Sequence, residues 1–272
     1  MGLLDGRVAI VTGSGRGIGR AAALLFAREG AKVVVSDLDE NPAQEVAQQI
    51  QSGGGECMVY PGDVTKPGFA DGIMDKAVQA WRGLHILVNN AGFTWDAVVH
   101  KMTDEQWETM LAVHLTAPFR IIRAAAPYFR EAAKLEKAAG RVVNRKIINV
   151  SSLAGVRGNS GQANYASAKA GVVGLARALS KEWGPLNVQV NAVSYGWIDT
   201  RLTKEKEAGQ TLDRDGKAIA IGIPAAMRNL MPMLIPMGRA GSPEEAAGPL
   251  LFLASPLSDY VSGQCIEVTG GF

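Results

Sequence analysis

Seven short apolar runs, most rich in β-branched residues and separated by stretches of helical character, restrict this chain more than any other feature. They lie at Arg7–Val11, Lys32–Ser36, Glu56–Tyr60, His85–Asn89, Lys146–Val150, Val188–Val193 and Cys265–Val268. Strands buried on both faces read as continuous apolar segments, and intervening helices bring them together in parallel through crossovers. The pattern predicts an α/β fold, a doubly wound parallel sheet of about seven strands with helices on both faces. Local signals punctuate it. Gly30 stops the first helix, Asn41-Pro42 opens the second, Thr103 with Gln106 forms a capping box for a long helix through about Arg130, and Ser242-Pro243-Glu244 opens the last. With no repeat or linker in its 272 residues, the chain is expected to form a single domain over residues 1–272.

Two stretches break the rhythm. Glu131–Arg145 reads as a charged surface excursion between helix and strand. Arg201–Gly241 is a long connection in which no sheet element is evident, and its second half carries Met227, Met231, Met233 and Met237. Methionine suits irregular apolar surfaces, so this segment is either a substrate lid, at about residues 201–241, or a helix packed on the body.

Composition removes several function classes. The 28 basic and 26 acidic residues leave a net charge of only +2, with no basic stripe to attract nucleic acid. Cys57 and Cys265 stand alone, as expected in a reducing compartment, and they form no metal-ligand pattern with His85, His100 or His114. No apolar run has the length of a membrane span, and no signal-peptide layout precedes the first strand. A cytoplasmic protein without membrane or nucleic-acid partners is expected, acting on a small molecule.

The first strand runs into Thr-Gly-Ser-Gly-Arg-Gly-Ile-Gly at 12–19, which opens a helix. Gly13, Gly17 and Gly19 let backbone approach a pyrophosphate, and the helix start offers free N–H groups. Asp37 ends the second strand 18 residues beyond Gly19, where an acid reads ribose hydroxyls in a dinucleotide fold. A carboxylate there disfavours a 2′-phosphate by about 4 kcal/mol at 4 Å and an effective dielectric of 20. NAD is therefore the expected cofactor, although Arg16 pulls toward NADP. Asp63 is placed either to accept from an adenine amino group or to cap its own turn. Asn90 is expected to brace the central sheet and line the cleft.

Ser152, Tyr165 and Lys169 are the candidate catalytic groups. Tyr165 and Lys169 stand four apart on a helical run and share a face. An ammonium beside a phenol favours the phenolate, and bringing the tyrosine pKa from about 10 to about 7 takes about 4 kcal/mol of differential stabilisation. Taken alone, such a pair is ordinarily a solvated helix face; the glycine loop upstream is what makes it a site.

With these residues placed, the chain resembles the short-chain dehydrogenase/reductase family over essentially its whole length. The resemblance rests on the glycine loop, Asn-Asn-Ala-Gly at 89–92, Ser152 thirteen residues before Tyr165, Tyr-Ala-Ser-Ala-Lys at 165–169, and the C-terminal run ending in Val-Thr-Gly-Gly-Phe. Within the family it is most similar to the 3-oxoacyl-acyl-carrier-protein reductases, with hydroxysteroid and other alcohol dehydrogenases as the alternative. The resemblance implies a Rossmann-type sheet, a homotetramer, and hydride transfer between a nicotinamide and a secondary alcohol or ketone. It makes Tyr165 the proton donor in reduction, Ser152 the hydrogen-bonding partner of the reacting oxygen, and Lys169 the holder of the nicotinamide ribose. It also carries cofactor contacts onto Gly13, Arg16, Gly17, Ile18, Gly19, Asp37, Asp63, Val64, Asn90, Ala91, Gly92, Gly196, Ile198 and Thr200.

Two positions depart from the family pattern. His114 replaces the asparagine that completes the family's proton relay; it either holds the relay water or is a packed histidine. Tyr195-Gly196 replaces Pro-Gly after the sixth strand, which predicts a less constrained loop there. These departures motivate a competing class, a non-catalytic dinucleotide-binding protein.

Overall fold

The structure is a computed structural model that describes residues 2–214 and 216–272. In chain order its elements are β1 (Val8–Thr12), α1 (Gly17–Arg28), β2 (Lys32–Ser36), α2 (Glu40–Ser52), β3 (Cys57–Val59), α3 (Phe69–Trp81) and β4 (Ile86–Asn89). There follow α4 (Asp104–Leu111), α5 (Ala117–Ala138), β5 (Arg145–Ser152), α6 (Leu153–Arg157), α7 (Ala163–Trp183) and β6 (Val188–Tyr195). The chain closes with β7 (Thr211–Arg214), β8 (Lys217–Ala220), α8 (Ala225–Leu234), α9 (Pro243–Ala254) and β9 (Cys265–Val268).

Seven strands form one parallel sheet in the order β3-β2-β1-β4-β5-β6-β9. Alternate residues of β1 divide between its faces. Ala9 and Val11 pack with Phe26 of α1, Val46 of α2 and Leu250 of α9. Val8 and Ile10 pack with Ile73 of α3, Phe129 of α5 and Val173 of α7. This is the α/β architecture expected from the apolar runs. The order reverses between β1 and β4, which places a crevice at the carboxyl ends of those two strands.

Three stretches differ from the sequence reading. The long helix after Thr103 does begin in a capping box with Gln106, but it is interrupted by a π turn at Ala112–Thr116. Pro118 has no N–H to give the His114 carbonyl, and the Ala117 N–H instead bonds back to the Ala112 carbonyl. The presumed surface excursion is partly structural: α5 continues to Ala138, and Glu136 forks the guanidinium of buried Arg145 with two 2.8 Å bonds. Finally, Arg201–Gly241 does contain sheet. β7 and β8 form an antiparallel hairpin with Arg214 opposite Lys217. Asp215-Gly216 between alternating residues is the hairpin signal that reveals it in the sequence. Beyond it, α8 buries none of its residues fully and leaves Met227, Leu230, Met233 and Leu234 exposed.

At the amino-terminal edge of the sheet, His85 Nδ1 accepts from the Val8 N–H at 3.1 Å. Burial, with the Arg7 and Arg145 guanidiniums nearby, holds His85 down at about 4 against its usual 6.5. Between these values the unfolded chain binds the proton and the folded one does not, so this contribution to stability is lost as pH falls from 6.5 to 4. The loss attributable to His85 is expected to be about 3 kcal/mol. Urea unfolding across that range should show a shallower pH slope for His85→Gln than for the unmodified protein.

Candidate active site

All strands of the main sheet run the same way, so the segments leaving β1, β4, β5 and β6 meet at one edge. Thr12 and Asn90 tie the first two together. The Thr12 hydroxyl oxygen accepts from the N–H groups of Asn90 and Ala91, each at 3.1 Å. The Asn90 amide donates to the carbonyls of Thr12 at 2.9 Å and Gly13 at 3.0 Å. Asn90 thus ties the end of β4 to the glycine loop. A Cβ on Gly13, whose φ is +64°, would lie 2.7 Å from the Ala91 Cα. One on Gly19 would overlap the Gly13 carbonyl and the Asn90 amide.

The first turn of α1 has no side-chain cap. The N–H groups of Gly17, Ile18 and Gly19, at the positive end of that helix, fit a pyrophosphate. Asp37 sits beside the loop: its Oδ2 accepts from the Gly15 N–H at 2.8 Å and its Oδ1 from the Asp39 N–H at 3.2 Å. Arg16 turns to Asp39 in a 2.7 Å ion pair instead of standing free. These residues fit the adenosine half of a dinucleotide.

Ser152 ends β5 and Tyr165 lies in the first turn of α7. The Ser152 hydroxyl lies near enough to the Tyr165 phenol to favour its ionised form. The Lys169 ammonium, one turn along α7, lies 5.6 Å from the centre of the Tyr165 ring and donates to the Val150 carbonyl at 2.6 Å. Ser151 fastens α7 to β5 by donating to the Lys169 carbonyl at 2.7 Å. Asn164, which sequence reasoning missed, is fully buried. Its amide donates to the carbonyls of Trp95 and Gln106, and its Oδ1 accepts from the Tyr165 N–H at 2.8 Å. The only sequence signal was its place beside the tyrosine.

One electrostatic expectation is reversed. Burial, aided by nearby Asp96 and opposed by the Ser152 hydroxyl, pushes the Tyr165 phenol up to about 12. The adjacent ammonium does not lower it, because Lys169 is itself brought down to about 7 by desolvation. His114, only 2% exposed, meets the Tyr165 ring edge-on at 4.9 Å. Burial and the Lys169 charge hold it well below its usual range, so it is neutral. Its Nε2 lies 2.7 Å from the Phe93 carbonyl, which can only accept, so Nε2 carries the hydrogen. Nδ1 is then an acceptor, buried and unpartnered.

The loop after β6 is firmer than the missing proline suggested. The Tyr195 hydroxyl donates to the Ala246 carbonyl of α9 at 2.5 Å, and the Gly196 N–H donates to the Val268 carbonyl at 3.0 Å. A cross-link to α9 supplies the constraint that a proline would have supplied through φ. Beyond it, Ile198 is bridged to Gly241 and buried, and the methyl of Thr200 faces Gly17 across the cleft. Asp63 caps its turn, accepting at Oδ1 from the N–H and hydroxyl of Thr65 at 2.9 and 2.8 Å. Val64, between them, packs against the α3 side of the core. Gly92 lies directly against the His114 ring, where a Cβ would overlap Cε1.

A glycine-lined crevice for a dinucleotide beside a partly buried Ser-Tyr-Lys group defines a nicotinamide-dependent oxidoreductase, and this chain belongs to the short-chain dehydrogenase/reductase family. A family profile described as enoyl-(acyl carrier protein) reductase matches residues 13–272. The chain is 36% identical to the 3-oxoacyl-(acyl-carrier-protein) reductase of Thermotoga maritima over 268 residues, covering 98% of each chain. It is also 36% identical to the enzyme of that name from Escherichia coli, covering 98% of this chain and 97% of the other. The Synechocystis enzyme is 36% identical over all of this chain and 98% of its own length. Among the described residues no helix is long and apolar enough to cross a membrane, and no cluster of potential metal ligands is present.

The packing around the glycine loop makes a stability prediction. Gly19→Ala is expected to destabilise the fold by about 2 kcal/mol or more, because the methyl meets backbone and a buried amide. Gly174→Ala in α7, where a Cβ meets nothing within 4 Å, is expected to be stabilising by up to about 1 kcal/mol. Thermal unfolding of the two variants checks the contrast.

Proposed function

We propose that the enzyme reduces the ketone of a 3-oxoacyl thioester to the secondary alcohol, with NADH preferred over NADPH. The observation that carries this is the Tyr165 phenol next to the Ser152 hydroxyl, with the Lys169 ammonium beside it and an uncapped helix start across the crevice. The names of the relatives support the substrate class. Bound at the glycine loop, the nicotinamide dinucleotide supplies the hydride.

The residues of this chain do the rest. Gly13, Gly17, Ile18 and Gly19 hold the pyrophosphate, Asp37 the adenosine ribose, and Asp63 with Val64 the adenine. Asn90, Ala91 and Gly92 line the cleft, while Gly196, Ile198 and Thr200 border the nicotinamide. Ser152 and Tyr165 donate to the ketone oxygen. As negative charge develops there, donors already aimed at it stabilise it without reorganising. A phenol held at about 12 is protonated at neutral pH, the form needed to deliver a proton to the alkoxide. Lys169 holds the nicotinamide ribose, and its charge balances the phenolate left behind. The His114 Nδ1 accepts from a water that links Lys169 to solvent. The 201–241 segment closes over the substrate as a lid on a single catalytic domain of residues 1–272. A homotetramer in the cytoplasm completes this reading.

Tyr165→Phe is expected to lower kcat on a 3-oxoacyl thioester by about 100-fold or more while leaving the dissociation constant for NADH unchanged. Turnover retained in that variant refutes the role given to the phenol. Asp37→Ala is expected to narrow the preference for NADH over NADPH by about tenfold or more, since it removes a charge that repels a 2′-phosphate. Steady-state kinetics with each cofactor measures it, and an NADPH preference in the unmodified enzyme overturns the assignment to Asp37.

A further inference from the structure

The Thr211–Ala220 hairpin bears on the cleft at both ends. On its inner face, Leu212 and Ile219 pack against a cluster that includes Phe93, Met110 and Tyr165. At its tip, Arg214 Nη2 lies 2.9 Å from Asp63 Oδ2 and donates to the Thr65 hydroxyl at 2.9 Å. The guanidinium carbon is 5.9 Å from the centre of the Phe93 ring. The side chains of Arg214 and Asp63 are 13% and 10% exposed, so this is an ion pair largely shielded from solvent. Lys217 adds a more exposed ion pair to Glu105.

The base of the hairpin is fixed while its arms bear on the site. The Lys206 N–H bonds to the Ile223 carbonyl and the Ile223 N–H to the Lys204 carbonyl, each at 2.9 Å. Gly222, at φ +117°, passes so close to this bridge that a Cβ would lie 2.7 Å from the Lys204 carbonyl oxygen. Gly209, at φ +70°, precedes the other arm. With an anchored base and glycines at both roots, the strap is held at its tip by this shielded ion pair, alongside the packing of Leu212 and Ile219 and the Lys217–Glu105 pair, so breaking it loosens the tip.

Asp63 is also the residue assigned to the adenine. Its Oδ1 is committed to Thr65 and its Oδ2 to Arg214. A guanidinium seated on this carboxylate competes with a purine edge for the same acceptor. We propose that Arg214 latches the Thr211–Ala220 hairpin over the adenosine end of the cleft, and that the dinucleotide must displace this guanidinium from Asp63 to bind. The inference rests on the dinucleotide reading of the cleft and adds a residue that sets cofactor affinity. If only the unlatched fraction binds, the apparent dissociation constant is the intrinsic one divided by that fraction. Removing the latch then tightens binding.

The test is a titration of ADP-ribose and of NADH, by calorimetry, into the unmodified protein, Arg214→Ala and Arg214→Lys, together with amide hydrogen exchange of the ligand-free proteins. Arg214→Ala is expected to bind both ligands about three- to tenfold more tightly and to exchange the hairpin amides faster, with Arg214→Lys in between. Weaker binding by Arg214→Ala overturns the proposal, because it makes the guanidinium a ligand of the cofactor. Equal affinity, or unchanged exchange, overturns it by showing that Arg214 holds nothing shut. Absence of binding by any of the three forms overturns the dinucleotide reading together with the proposal. Binding by the unmodified protein without a gain in the variant overturns the latch alone.

Discussion

Where the strand order turns back on itself, the chains leaving β1 and β4 must be tied together without filling the space between them. Thr12 and Asn90 solve this with a set of short bonds running through one hydroxyl and one amide. The glycines of the loop can then remain without side chains, because their backbone is held from behind instead of by packing. In front of that tie lie the bare helix start, Asp37 at the loop's edge and Asp63 one strand further out. Asn89 continues the tie inward, donating to Asn149 of β5 at 2.9 Å. The active-site strand is thereby linked to the cofactor strands through side-chain amides as well as through the sheet.

Behind the chemistry, burial governs charge. Lys169 is placed in the protein interior with a backbone carbonyl as its protein hydrogen-bond partner, and desolvation lowers its proton affinity. The same desolvation keeps Tyr165 protonated and His114 neutral. The ligand-free site thus combines a protonated phenol, a neutral imidazole and an ammonium of lowered proton affinity.

Much of this was legible in the sequence. Lys32–Ser36 and Cys265–Val268 were bounded correctly by their apolar runs alone, and the capping box at Thr103 announced α4. Strand and cap signals are local, so they survive without knowledge of the fold. The π turn did not announce itself, although Pro118 was in plain sight, because a proline can open, kink or end a helix and only the packing of His114 against Phe93 and Tyr165 selects among these. Arg145 read as surface because its partner Glu136 lies in what looked like a charged excursion. The hairpin carried its own signal in Asp215-Gly216 but has little apolar pattern to advertise a sheet of two strands.

The sequence by itself determined the order of strands and helices, the glycine loop and the Ser-Tyr-Lys group, since each is written in residues close along the chain or in a fixed local spacing. The tertiary structure alone decided the protonation of Tyr165 and His114, the bracing of Tyr195 on α9, and the closure of Arg214 onto Thr65 and Asp63 across 149 residues of chain in the first case. The physical reason is common to all of them. Desolvation and long-range pairing depend on which surfaces meet, and residue type does not specify that until the chain has closed on itself.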